Sequence, residues 1–127
     1  MYVCDTHALI FYMADELPKT LNPIFSSVEN RQSVMYIPSI AVAEALHLKE
    51  RGKVDFNIKE LFEKLDASSN FFIIVPLDAY ILKLMPELGK VSEIHDRIIT
   101  ATAILYKSEL ITKDTEIVEA GYVKTLW

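Results

Sequence analysis

Short runs of apolar residues recur along the chain: Tyr2 to Asp5, Ser33 to Ile37, Phe71 to Val75, Leu110 to Thr112 and Tyr122 to Leu126. Nearly every position in them is apolar, without the alternation of a strand that turns one face to water. They read as strands buried on both faces of a parallel sheet. The stretches between them are longer and carry helix punctuation. His7 to Ala14 and Leu21 to Arg31 follow the first strand, and Ser39 offers an N-cap for a helix that runs to Arg51, where Gly52 supplies a stop. Asn57 and Glu60 have capping-box spacing ahead of Leu61, Phe62 and Leu65. Asp78 caps Ala79 to Met85, Pro86 ends that helix, His95 to Lys107 forms the last long one, and Thr115 to Ala120 a short one. Strand and helix in alternation predict an α/β fold with a parallel sheet.

Composition narrows the class. A chain of 127 residues is one domain's worth, and 51% hydrophobic residues with only 3 Gly and 5 Pro give a core rather than disorder. One Cys excludes a disulfide framework. Met1 leads straight into Tyr-Val-Cys-Asp with no basic and apolar leader, and no apolar run nears the ~18 residues of a membrane span, so a soluble cytoplasmic protein is expected. The formal charge of −5 argues against a uniformly basic nucleic-acid surface.

Four carboxylates sit where carboxylates are costly. Asp5 ends the first strand, and Asp114 follows the strand Leu110-Ile111-Thr112; carboxyl ends of parallel strands border the crevice where ligands bind. Glu44 lies inside the apolar stretch Ile-Ala-Val-Ala-Glu-Ala-Leu, and Asp96 opens a helix whose Thr100-Ala101-Thr102-Ala103 run allows close approach to a neighbouring backbone. Each has a plain structural explanation. Asp5 and Asp96 could be helix caps, Glu44 could pair with His47, and Asp114 could be a turn residue. Taken together they suggest a site whose mutual repulsion a divalent cation relieves, and all-oxygen ligation suits Mg²⁺ or Mn²⁺. Such an ion supports phosphodiester hydrolysis. Thr6 and Thr112 are the nearest hydroxyls in sequence that could hold a water of the ion.

The segments Asp-Thr-His-Ala-Leu-Ile-Phe at 5 to 11, Ile-Pro-Ser-Ile-Ala-Val-Ala-Glu-Ala at 37 to 45, His-Asp-Arg-Ile-Ile-Thr-Ala-Thr-Ala at 95 to 103 and Leu-Ile-Thr-Lys-Asp at 110 to 114 resemble, in order and spacing, the PIN domain family and in particular the short VapC-like toxins of toxin-antitoxin pairs. The resemblance implies a three-layer α/β/α sandwich around a mainly parallel sheet. It also implies a Mg²⁺- or Mn²⁺-dependent endoribonuclease, a cognate antitoxin and a possible homodimer. By position, Asp5, Glu44, Asp96 and Asp114 take the family's acidic places and Thr112 its supporting hydroxyl. Glu116 is a further acid near the last of them, with its reach to the metal left open.

An acidic nuclease must meet RNA through local charge. Lys19, Lys49, Arg51, Lys53, Arg97 and Lys113 are candidates for phosphate contacts, and Phe11 and Tyr12 for stacking on a base unless they are core. Other chemistries fit less well. Cys4, His7, His47 and His95 lack paired zinc-ligand spacing, a haloacid-dehalogenase pattern would want Asp at His7, and there is neither a G-x-S-x-G elbow nor a glycine-rich phosphate loop. A catalytically inactive RNA-binding or protein-interaction module is the alternative from another class.

Overall fold

In the computed structural model, which describes residues 1–127, the apolar runs become β1 (Tyr2–Cys4), β2 (Met35–Pro38), β3 (Phe72–Val75), β4 (Glu109–Ile111) and β5 (Thr125–Leu126). They form one sheet in the order β3-β2-β1-β4-β5 with every pairing parallel. The last strand is two residues rather than the five expected, and Ile74 on edge strand β3 is exposed.

Side chains alternate across the sheet and define three layers. Cys4, Met35, Ile37, Phe72 and Ile111 face α1 (Thr6–Met13), α2 (Asn22–Glu29) and α4 (Ile58–Lys64). Val3, Tyr36 and Leu110 face α6 (Ile94–Leu105) and α7 (Thr115–Ala120), with α5 (Ala79–Leu84) packed against α6. α3 (Ser39–Glu50) joins the layers, sending Val42 and Ala45 to one core and Ala41 to the other. Tyr12, Phe25 and Phe72 stack with centroids 4.8 to 6.1 Å apart, so Tyr12 is core and its hydroxyl donates to Glu29 at 2.6 Å. It is not a stacking platform for a base.

Most helix signals hold. Asn57 accepts from the Glu60 N–H, Asp78 from those of Tyr80 and Ile81, and Gly52 takes the left-handed φ of +70° that stops α3. Two boundaries differ. Ser39 is the first helical residue of α3 and not its cap; Pro38, with φ −57° and no side-chain acceptor, makes the turn from β2. α6 begins one residue before His95 and is capped by Glu93, so Asp96 lies in its first turn and is not the cap. Pro86 does not end the chain's coiling at once, since a 3-10 turn over Met85–Glu87 follows α5.

The close-approach run behaves as its small side chains predict. Thr100, Ala101, Thr102 and Ala103 are all fully buried, and the two hydroxyls donate back to Asp96 and Ile98 carbonyls at 2.8 Å. That satisfies both threonines within their own helix and lets α6 lie against β1 and β2. The topology then fixes where a ligand belongs. From β1 the chain moves outward through β2 and β3, then returns to place β4 on the other side of β1. Between β1 and β4 the winding reverses, and open parallel sheets bind ligands outside the carboxyl ends of the strands at that point.

Candidate functional site

Asp5 stands at the end of β1 and Asp114 three residues beyond β4, on the two sides of the reversal. Both carboxylates are held by the helices they start. Asp5 Oδ1 accepts the Ala8 N–H at 2.8 Å and Asp114 Oδ1 accepts the Ile117 N–H at 3.0 Å. The cap explanation for Asp5 is therefore a correct description, Asp114 is a cap and not the turn residue expected, and both roles are compatible with a site. A helix N-terminus both orients a carboxylate and favours its charge.

Thr112 ties the two together. Its hydroxyl donates to Asp5 Oδ2 at 2.5 Å and accepts the Asp114 N–H at 3.1 Å. It is buried behind Asp5 and does not border the cavity, so its role is to position Asp5. Thr6 is similarly engaged, donating to Glu44 Oε1 at 2.7 Å. Each hydroxyl gives its proton to a carboxylate and keeps acceptor capacity; Thr6 borders the cavity and Thr112 does not. Thr112→Val is expected to cost about 1–3 kcal/mol by leaving Asp5 Oδ2 and the Asp114 N–H unpaired, while Thr112→Ser restores both bonds. Urea unfolding of the two variants checks this.

Glu44 projects from the middle of α3. Its neighbours are Thr6 and His95, whose Nδ1 lies 3.5 Å from Glu44 Oε2, and not His47, which is exposed on α3. Asp96 enters from the first turn of α6. Its backbone N–H is bound by Glu93 Oε2 at 2.8 Å, and no protein donor reaches its carboxylate.

Asp5, Thr6, His7, Glu44, Leu48, Glu93, Asp96 and Asp114 line one cavity of about 180 Å³. All four acids singled out from sequence thus meet. They do not touch as a cage, however: no three His, Cys, Asp or Glu side chains are drawn into a ready-made ligand cluster. Asp5, Glu44 and Asp114 are each held back by a hydroxyl or a helix N-terminus, and like charges have no reason to close further. Electrostatics records the strain. Burial, followed by repulsion from Asp114, Glu93, Glu44 and Asp5, pushes the Asp96 carboxyl up to about 7. Burial also raises Asp5, against the lowering effect of the Thr112 and Ala8 hydrogen bonds and His7, with Asp114 adding to the rise.

The donor chemistry of this cavity fits a hard divalent ion. Carboxylates dominate its lining, joined by Thr6 and His7, in excess negative charge, with one carboxylate unpartnered and room between them. Mg²⁺ retains several waters and needs only one or two carboxylates directly, which suits acids arranged around a space. Zinc does not fit, because Cys4 is fully buried in the core, its thiol pushed well up by desolvation and Asp5, and of the three histidines only His7 borders this cavity.

A PIN domain family model matches residues 2–121. The chain belongs to the PIN domain family. No curated protein matches its sequence. Solved structures similar to this PIN domain include VapBC2 from Rickettsia felis bound to a DNA fragment from its promoter, with TM-score 0.72 and 17% identity over 98% of this chain and 96% of that one. DNA-bound VapBC from Salmonella typhimurium is similar with TM-score 0.71 and 15% identity over 98% and 96%. FitAcB from Neisseria gonorrhoeae is similar with TM-score 0.67 and 22% identity over 100% and 97%. At these identities the likeness is one of fold.

Glu93 was missed by the sequence reading. It caps α6, lines the cavity and binds His95 Nδ1 at 2.8 Å; burial raises its carboxyl, but the Asp96 and His95 N–H groups and the His95 ring outweigh that and hold it below the ordinary range. The available signal was its position three residues before Asp96, though Glu is an uncommon cap. Glu116 resolves the other way. It accepts from the backbone N–H and hydroxyl of Ser92, which hold its carboxyl below the ordinary range, and it does not line the cavity. Glu116 thus anchors the start of α7 to the turn before α6.

Several of the basic and aromatic candidates have structural employment. Lys49 pairs with Asp55 at 2.8 Å, Arg97 Nε donates to the Val91 carbonyl at 2.7 Å, and Lys113 lies over the rings of Phe11 and Trp127. Phe11 itself packs edge-on against Trp127 at 5.6 Å. Lys19, Arg51 and Lys53 are exposed. No helix is long and apolar enough to cross a membrane.

Proposed function

We propose that this PIN domain is a metal-dependent endoribonuclease acting in the cytoplasm as the toxin of a toxin-antitoxin pair. The observation that carries the reading is the convergence of Asp5, Glu44, Asp96 and Asp114 on one cavity at the point where the sheet's winding reverses. PIN domains are generally nucleases, and the similar structures include VapBC and Fit complexes, which supports a protein partner of the antitoxin kind. A homodimer belongs to the same proposal.

Asp5, Asp96, Asp114 and Glu44 would hold Mg²⁺ or Mn²⁺, which when bound supplies Lewis acidity and neutralises charge on a phosphodiester. Asp5 acts from a fixed position, because Thr112 and the Ala8 N–H determine where both of its oxygens point. Glu44 is oriented by Thr6, and Asp114 by the N-terminus of α7. Asp96, which no protein donor restrains, is free to turn toward the ion, and a water activated by the ion, or by Asp5 or Asp96 acting through it, would attack the phosphate. Thr112 and Glu93 are positioning residues, the first for Asp5 and the second for the opening turn of α6.

The test is cleavage of total RNA by purified, partner-free protein in Mn²⁺, Mg²⁺ or EDTA, with new 5′ ends mapped by sequencing. Discrete ends that require both the metal and Asp96 are expected. Mn²⁺ binding without any cleavage would favour a non-catalytic interaction module, and equal cleavage by Asp96→Asn would overturn the site.

A further inference from the structure

Beside the acidic cavity lies a second one of different character. It has a volume of about 260 Å³ and is lined by Ile40, Ala43, Glu44, His47, Leu48 and His95. Glu44 and Leu48 line both cavities, so the two are neighbours that share one wall, a single turn of α3. The walls combine three aliphatic side chains with two imidazoles. Of these, His95 is held in place by its Nδ1 contact with Glu93 at 2.8 Å, while His47 is exposed.

We infer that this pocket receives one unstacked nucleobase of a single-stranded RNA, next to the phosphate that the acidic cavity acts on. The inference rests on the nuclease reading given above and adds to it a base-binding subsite built by this chain's own residues. Size favours one ring system, because sites for drug-sized ligands run roughly 300–1,000 Å³ and this one is smaller. Chemistry favours a base over a phosphate or a sugar. Aliphatic and imidazole walls suit a planar, weakly polar ring, and sequence-selective RNA recognition works by splaying unpaired bases onto aromatic side chains, histidine among them. Adjacency favours RNA over an unrelated small molecule, since a base here remains covalently attached to a backbone that passes the acids.

The experiment has two readouts. In the first, the Ile40, Ala43 and Leu48 methyl groups are followed by NMR in wild-type protein with Ca²⁺ while a short single-stranded RNA is added, alongside the same oligonucleotides carrying one abasic nucleotide at each position in turn. Shifts with intact RNA that vanish for one abasic position are expected. In the second, kcat/KM is measured for wild type, His47→Ala and Ala43→Phe on a cleaved single-stranded oligonucleotide. A roughly tenfold loss is expected, carried by KM for His47→Ala and accompanied by altered base preference for Ala43→Phe. Methyl groups that stay still with every oligonucleotide would overturn the inference whether or not RNA is cleaved, and would leave the pocket to a side chain of a protein partner. Asp96-dependent cleavage that is indifferent to every abasic substitution would overturn it too, while leaving the nuclease reading intact.

Discussion

Asp96→Asn will make the protein more stable at pH 8 when divalent ions are removed, by about 1–2 kcal/mol once solvent screening of a half-exposed group is allowed for. The folded state holds the Asp96 carboxyl at about 7, against 3.8 for an unperturbed aspartate. Between those values the folded chain binds more protons than the unfolded one, so stability falls as pH rises through that window and is level above it. Asn carries no charge and escapes the penalty. Wild type and variant will therefore converge below pH 4 and separate above pH 7, with a Tm gap of roughly 3–7 °C at pH 8. Added Mg²⁺ will narrow the gap by stabilising the wild type alone. Thermal unfolding at a series of pH values, with EDTA and with Mg²⁺, reads all three outcomes; a variant less stable than wild type at pH 8 in EDTA contradicts the assignment of repulsion to this cavity. A group that destabilises its own fold is characteristic of residues kept for chemistry.

At Asp5 the two obvious substitutions will part company. Asp5→Asn keeps an oxygen for the Ala8 N–H and an amide that can donate to Thr112, whose hydroxyl then turns its own proton elsewhere. Asp5→Ala loses the cap of α1, worth about 1 kcal/mol, and leaves the buried Thr112 hydroxyl without its partner, worth about 1–2 kcal/mol more. The Ala variant is thus expected to be about 2–3 kcal/mol less stable than the Asn variant, or roughly 6–10 °C in Tm. Both will lose RNA cleavage by at least about a hundredfold, because neither retains the charge that the site's chemistry needs. Denaturant curves and initial rates on the same two preparations separate the structural from the chemical contribution of a single side chain. Equal stability of Ala and Asn would mean that the cap and the Thr112 bond are weaker than their geometry implies.

The placement of these acids was legible because parallel strands announce themselves. The apolar runs ending at Asp5 and Thr112 located two strand ends, and a carboxylate just beyond each was enough to suggest a crevice. The interruption of an apolar stretch by Glu44 located a third acid, since a charge there needs a partner. Its actual partners, Thr6 on α1 and His95 on α6, are 38 and 51 positions away in the chain. A reading confined to helical neighbours could find only His47. Glu93 was hidden for a related reason: its value lies in capping geometry and in facing a cavity, neither of which its residue type advertises. The spread of the acids was also invisible. Spacing along the chain says that carboxylates converge, but the hydroxyls and helix ends that hold each one apart are tertiary. The basic residues show the reverse effect, for charge alone nominated Lys49, Arg97 and Lys113, while Asp55, the Val91 carbonyl and two aromatic rings already employ them.

The central physical claim is that this cavity carries charge which a divalent cation balances by displacing a proton from the Asp96 carboxyl. Isothermal titration of Mg²⁺ or Mn²⁺ at pH 7, repeated in buffers of different ionisation enthalpy, counts that proton directly. With a carboxyl near 7, roughly half a proton should be released per ion bound, falling toward none by pH 8.5 and absent in Asp96→Asn. Binding without proton release at pH 7, or release that persists in Asp96→Asn, would contradict the account.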